Sequence, residues 1–223
     1  MNETALFLAS RPVTLVGGGP CSARALARAR SRAPVIVAAD GGADRALALG
    51  IEPEMVIGDL DSISDTARVR LGPARLRAVA EQESTDFDKC LRSIAAPFVL
   101  AVGFEGNRMD HALAAFNTLA RAPGPPCLML GGHDVAFRAP AGPLELALAP
   151  GTRVSLFPMA PVEGRSQGLR WPIDGLRLAP AGRIGTSNEA VAEVVRLEFT
   201  TPGMLVMLPP EALDAALAAL GLA

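Results

Sequence analysis

Short apolar runs recur over the first 135 or so residues, and most continue through a glycine- or aspartate-rich turn into a helical pattern. "VTLV" (13–16) leads into "GGGP", "VIVAA" (35–39) into "DGGADRALAL", and "MVI" (55–57) into "GDLDS". "LRAVA" (76–80) leads into "EQESTDFDKCLRSI", "FVLAV" (98–102) into "GFEGNRMDHALAAFNTLA", and "CLML" (127–130) into "GGHD". Strands that alternate with helices argue for a mainly parallel sheet with helices on its faces. The runs are continuous, not alternating, as expected when both sheet faces are covered. This α/β domain is expected to span residues 1–138. From about residue 140, proline and glycine punctuate short β-like runs: "TRVSLFPM", "GLRWPI", "GLRLAPA", "VVRLEFTT" and "GMLVMLP". Residues 194–199 partly alternate, as a half-exposed strand does. A smaller all-β sandwich or barrel-like domain is expected over 139–223, closed by a short helix in "PEALDAALAAL".

Composition narrows the function classes. Half of the 223 residues are hydrophobic and the formal net charge is -2, which gives no overall attraction to nucleic acid or anionic membrane. No apolar run approaches the roughly 20 residues of a membrane span. Glu3 stands where a secretory signal would be basic, so a cytoplasmic location is expected. Cys21, Cys90 and Cys127 are far apart, without metal-ligand spacing, and read as small hydrophobes. Twenty arginines accompany a single lysine, Lys89, either by chance or because a compact ammonium is needed there.

In an open α/β sheet, ligands bind at the carboxyl ends of the strands. Eight of the eleven aspartates lie between residues 40 and 110, most of them at such ends. Gly17, Gly18 and Gly19 either form a plain tight turn or let backbone approach a phosphate. Asp40, Gly41 and Gly42 form the next turn. Asp59 and Asp61 flank one residue after an apolar run, and like charges that close require compensation. A divalent cation carrying a polyphosphate would supply it; the other reading has Asp61 capping the next helix. The reading expects the uncompensated pair to face open solvent, with no protein partner. Thr85 reads as a helix cap with Asp88 as the third helical residue, and Phe87, Cys90, Leu91 and Ile94 on the core face. Asp86 and Lys89 then project toward the same edge, where Lys89 could neutralise phosphate. Arg108 could grip a phosphate bidentately, and His111 is either a helix-start or a site residue. The next helix reads as burying Leu113, Phe116 and Leu119. Trp171 reads as a core residue or a ligand platform, and "GTSNE" (185–189) as a polar turn. No nucleophilic triad or zinc-ligand spacing is present.

"DGGADRAL", "PEMVIGDLDSIS", "STDFDKCL", "GFEGNRMDHALAAFNTL", "GLRWPIDGLRL", "GTSNE" and "GMLVMLP", in this order, resemble the thiamine pyrophosphokinase family. The resemblance implies a Rossmann-like, nucleotide-binding α/β domain followed by a β-sandwich that binds thiamine. It implies Mg²⁺-dependent transfer of the β,γ-pyrophosphoryl group of ATP to thiamine, releasing AMP. It also implies a homodimer with the active site at the subunit interface. Asp59, Asp61, Asp86 and Lys89 match the catalytic positions. Gly18, Gly19, Asp40, Gly41, Gly42, Thr85, Arg108, Asp110 and His111 match the ATP side. Trp171, Ser187 and Asn188 match the thiamine side, with the indole stacking on a heteroaromatic ring. Asp59, Asp61 and Glu83 are the implied metal ligands. Family members often read D-x-T-D where this chain has Glu83-Ser84-Thr85-Asp86, and Asn107 replaces a glycine common in bacterial relatives. A pyrophosphokinase for another heteroaromatic alcohol, such as a pterin, and a non-catalytic ligand-binding regulator are the alternatives.

Overall fold

The computed structural model describes residues 5–81, 83–106 and 108–223; Glu3 and Asn107 lie outside them. Contacts divide the chain into two compact units, residues 1–132 and 133–223.

The first unit contains β1 (Phe7–Leu8), β2 (Val13–Val16), α1 (Ala23–Arg30), β3 (Val35–Ala39), α2 (Gly42–Ala48), β4 (Met55–Gly58), α3 (Asp65–Leu71) and β5 (Leu76–Ala78). It continues with α4 (Asp86–Ser93), β6 (Ile94–Ala95), β7 (Val99–Val102), α5 (Met109–Arg121) and β8 (Cys127–Leu130). Six of these strands lie in the order β8-β7-β2-β3-β4-β5, and every neighbouring pair is parallel. β2, β3 and β7 are buried along their whole length, which is why their sequences carry no polar alternation. The chain builds outward from β2 to β5, then returns to the other side of β2 as β7. That reversal opens a crevice at the carboxyl ends of β2 and β7, where the connections leave in opposite directions. β1 and β6 form a separate parallel pair.

Helix starts follow the capping chemistry of the sequence. Ser22 Oγ accepts from Ala25 N, Ser64 Oγ from Ala67 N, and Thr85 Oγ1 from Asp88 N. Ser64, and not Asp61, therefore caps α3. α4 buries Phe87, Cys90 and Leu91, with Ile94 buried just beyond it, as its spacing predicts. α5 departs from expectation: Leu119 is buried, but Phe116 is only half-buried and Leu113 is 68% exposed. Leu113 follows Met109 by four residues, so both belong to a stripe of α5 exposed within this unit.

The second unit contains β9 (Val135–Arg138), β10 (Gly142–Ala147), β11 (Arg153–Pro158), β12 (Val162–Gln167), β13 (Arg177–Leu178) and β14 (Gly185–Glu189). β15 (Val194–Phe199), β16 (Met204–Leu208), a single 3-10 turn and α6 (Leu213–Ala219) complete it. Its strands form two antiparallel sets, β14-β11-β16-β9 and β10-β15-β12-β13. Val195, Leu197 and Phe199 of β15 are buried, while Val194, Arg196 and Glu198 are exposed. The boundary falls at 132/133 instead of 138/139, because residues 135–138 pair with β16 and so belong to the second unit's sheet. "GTSNE" is the strand β14 and not a turn, its polar side chains tolerated because it pairs through backbone with β11. "GLRWPI" is irregular, held by one isolated bridge between Leu169 and Ala190. Among the described residues no helix is long and apolar enough to cross a membrane.

Candidate active site

The crevice of the first unit holds a cleft of about 870 Å³. Its walls come from the turns after β2, β3, β4 and β7 and from the starts of α4 and α5. The glycines make this possible by backbone proximity. A Cβ on Gly17 or Gly19 would lie 2.6 Å from Gly103 O, and one on Gly42 only 2.0 Å from Val16 O. Gly18 and Gly41 are less confined and line the cleft. The triple glycine therefore serves two ends: Gly17 and Gly19 admit the Gly103 backbone, and Gly18 leaves the wall open.

Three carboxylates meet at one end of the cleft. One oxygen each from Asp40, Asp59 and Asp61 can be chosen with all three within 4.8 Å of one another. Asp40 adopts φ 42°, a left-handed geometry that Asp tolerates better than most residues, and it is buried. Its two oxygens accept from Ser62 N at 3.1 Å and Ile63 N at 3.0 Å, which ties the β3 exit to the β4 exit. Burial, with the charges of Asp86 and Asp59, pushes the Asp40 carboxyl up to about 6 against the pull of the Ser62 N–H. Leu60, at φ 64°, is buried against Val56, Ile63, Ala67 and Leu71 and pins the loop between the two other acids. Asp61 is exposed and accepts from Ser62 Oγ at 2.8 Å.

Asp59 does have a protein partner, contrary to the expectation from sequence. Lys89 Nζ donates to Asp59 Oδ2 at 2.9 Å and lies 3.6 Å from Asp86 Oδ1. The lysine is 2% exposed, Asp59 17% and Asp86 39%. The Lys89 ammonium holds Asp59 below the usual carboxylate range. Burial alone would lower Lys89, but the Asp59 hydrogen bond and the Asp86 charge outweigh it and hold the ammonium above its ordinary value. Asp86 moves upward, first through burial and then through repulsion by Asp59. Its Oδ1 is buried and accepts no hydrogen bond among the described residues. One lysine thus balances two acids, and Asp61 faces solvent without an ammonium partner.

Around these groups the placements differ. Thr85 lines the cleft while capping α4. Asp88 is the third helical residue, as expected, its N–H donating to Thr85 Oγ1, and its carboxylate is buried between Arg92 and Arg121. Glu83 is exposed, its N–H donating to Glu81 Oε2 at 2.7 Å, and it stands outside the acid cluster. Glu81 is the organising carboxylate of that loop: it also accepts from Ser84 N and Arg92 Nη2. Arg108 lines the cleft and is clamped by Asp110 at 3.1 and 2.6 Å; His111 lines the cleft as well. Arg45 on α2 and the ring pair Phe87–Phe104, with centroids 4.3 Å apart, also line it and were missed in sequence. Arg45 lies five residues after Asp40, midway along the short helix that the DGG turn opens, and nothing in that spacing marks it.

The second unit has its own small hollow of about 150 Å³, bordered by Trp171, Ile173, Ile184 and Asn188. Trp171 is 56% exposed, so it is not a core residue. Asn188 is buried and its amide addresses the Trp171 backbone in both directions. Oδ1 accepts from Trp171 N at 3.2 Å, and Nδ2 donates to Trp171 O at 2.7 Å. Asn188 therefore orients the tryptophan. The Arg170 guanidinium lies 5.7 Å from the indole centroid. Ser187 is exposed at φ 60°, its N–H donating to Ser155 Oγ, and does not border the hollow.

The family models described as "Thiamin pyrophosphokinase, catalytic domain" and "Thiamin pyrophosphokinase, vitamin B1 binding domain" match residues 26–127 and 144–204. "Thiamine pyrophosphokinase 1" of Oryza sativa subsp. japonica is 26% identical over 200 residues, covering 74% of this chain and 75% of its own. Thiamin pyrophosphokinase from Candida albicans superposes with a TM-score of 0.76 at 15% identity, covering 92% of this chain and 93% of the other. Thiamine pyrophosphokinase from Bacillus subtilis gives 0.72 at 22%, covering 89% and 98%. The two superpositions establish likeness of fold.

Proposed function

The chain belongs to the thiamine pyrophosphokinase family, a family of enzymes, and from that premise we propose that it transfers the β,γ-pyrophosphoryl group of ATP to thiamine. The reaction gives thiamine diphosphate and AMP. The observation that carries the proposal is the cluster of Asp40, Asp59 and Asp61 beside Lys89 in a cleft of small-molecule size. An all-carboxylate donor set suits a hard cation such as Mg²⁺, and Asp61 offers the most accessible oxygens. Asp40 and Asp59 would complete the set through lone pairs left by their present hydrogen bonds. When bound, the ion supplies neutralisation of phosphate charge.

In the transfer, the thiamine hydroxyl oxygen bonds to the β-phosphorus while the bond from that phosphorus to the α,β-bridging oxygen breaks. AMP leaves with the bridging oxygen. Such displacements need alignment and charge neutralisation more than covalent help from the protein. Lys89 supplies a fixed positive charge. Asp86, 39% exposed and held upward by burial, is a carboxylate that could orient the hydroxyl. In the second unit, Trp171 offers an aromatic face to the thiamine rings and Asn188 fixes its direction. A homodimer is proposed to bring a first unit and a second unit together at each site. The exposed Met109, Leu113 and Trp171 support that assembly, and light scattering tests it.

Incubation with ATP, Mg²⁺ and thiamine, resolved by phosphorus NMR, is expected to yield AMP and thiamine diphosphate. ADP as product would overturn pyrophosphoryl transfer. Turnover only with another heteroaromatic alcohol would overturn the acceptor, and tight binding without turnover would make the chain a regulator.

The acid cluster also predicts a pH dependence. Asp40 is raised, so its proton is retained up to about pH 6, and a cation must displace it below that value. Mg²⁺ affinity is expected to be flat above about pH 7 and to fall about tenfold per unit below 6. Calorimetric titration across that range checks it; an affinity independent of pH from 5 to 8 would exclude Asp40 from the metal site.

A further inference from the structure

We propose that Arg45 grips the phosphate chain of the substrate in the first unit's cleft; the proposal deepens, and rests on, the reading of that cleft as a nucleotide site. A charge inventory of the cleft leads to it. The cations on its walls are Arg45, Lys89 and Arg108. Lys89 is committed to Asp59 and Asp86, and Arg108 to Asp110 through two nitrogens. Among the described residues no carboxylate lies within ion-pair reach of Arg45. Its chain neighbour Asp44 is held elsewhere, by the backbone N–H and hydroxyl of Ser64. Arg45 is therefore the cation of the cleft that a polyanion can engage without first breaking a protein ion pair.

Its location suits that task. Arg45 stands on α2, one turn from Gly41, and the open Gly18–Gly41 wall lies beside it. It shares the cleft wall with Gly18, Gly19 and Pro20 of the β2 exit and with Gly41 of the β3 exit. A guanidinium presents a planar fork of donors that matches phosphate oxygens in pairs and gives up its hydration more readily than an ammonium. Arg45 and Asp61 are complementary: the acid is available to a cation, and the arginine to the phosphate that the cation accompanies.

The test compares wild type, Arg45→Gln and Arg45→Lys by calorimetry with Mg·ATP and with adenosine, and by steady-state kinetics. Arg45 is exposed, so both variants are expected to melt within a few degrees of wild type. Arg45→Gln should weaken ATP binding about ten- to a hundredfold, raise the KM for ATP similarly, and leave adenosine affinity unchanged. Arg45→Lys should fall between. ATP affinity within about twofold of wild type, or an equal loss for adenosine, would overturn the assignment. If wild type forms AMP and thiamine diphosphate while Arg45→Gln keeps its KM, the reaction stands and Arg45 is wrong. If wild type is inactive yet Arg45→Gln loses ATP affinity, Arg45 stands and the reaction is wrong.

Discussion

Asp61→Asn is expected to cut turnover at ordinary Mg²⁺ by roughly a hundredfold or more while leaving thermal stability within about 0.5 kcal/mol of wild type. The asymmetry follows from how the three acids are held. Asp40 is buried and fixed by two backbone N–H groups, and Asp59 is fixed by Lys89, so substitution at either disturbs the loops as well as any ion. Asp61 is exposed and accepts from the neighbouring Ser62 hydroxyl, from which an amide oxygen can also accept. Removing its charge even relieves repulsion within the cluster. Activity regained on raising Mg²⁺ would locate the defect in ion affinity. Full activity at ordinary Mg²⁺ would remove Asp61 from the metal site.

Much of the first unit was legible because its strands are buried on both faces, so continuous runs such as 13–16 and 35–39 have few alternative uses. Cap residues were legible for a local reason: Thr85 and the apolar positions after it lie within one turn of chain. The second unit was harder. β12 and β14 carry mostly small or polar side chains, and what makes them strands is backbone pairing with β15 and β11. That information resides in the partners. "GLRWPI" shows the converse, a string that leaves its ladder at Trp171, whose backbone N–H and C=O are taken by Asn188, seventeen residues on, just before Pro172, which has no N–H to give.

The site was legible as a set of residues and much less as a set of roles. Glu83 carries the charge that the motif leads one to expect, yet Glu81 holds the loop, because its carboxylate reaches both the Ser84 N–H and Arg92. Arg45 could not be singled out among twenty arginines. Its distinction is that Asp44, Asp59, Asp86 and Asp110 are all engaged with other groups, which no spacing records. The same holds for Lys89. Its isolation in composition drew notice, but its partner across the sheet, thirty residues earlier, became visible only in the fold.

Lys89→Met should therefore have a double effect. Methionine fills similar space without charge, leaving Asp59 and Asp86 facing each other with no cation between them. Breaking a buried ion pair from one side typically costs about 3–5 kcal/mol; the partial solvation of both acids here reduces that to about 1–3 kcal/mol. The sign of its pH dependence is fixed by Asp59. Its carboxyl is lowered in the folded protein, so the pair's contribution is present above the usual carboxylate range and vanishes as pH falls through the lowered value. Melting temperatures of variant and wild type should differ most near neutrality and converge in acid. Turnover should fall by about a hundred- to a thousandfold at all pH values, since the fixed charge beside the transferring group is gone. Asp59→Asn in the same chain would restore much of the stability, by removing one of the two stranded acids, without restoring turnover. A double variant that recovered both would show that Lys89 serves only to neutralise Asp59 and that the metal site does without Asp59.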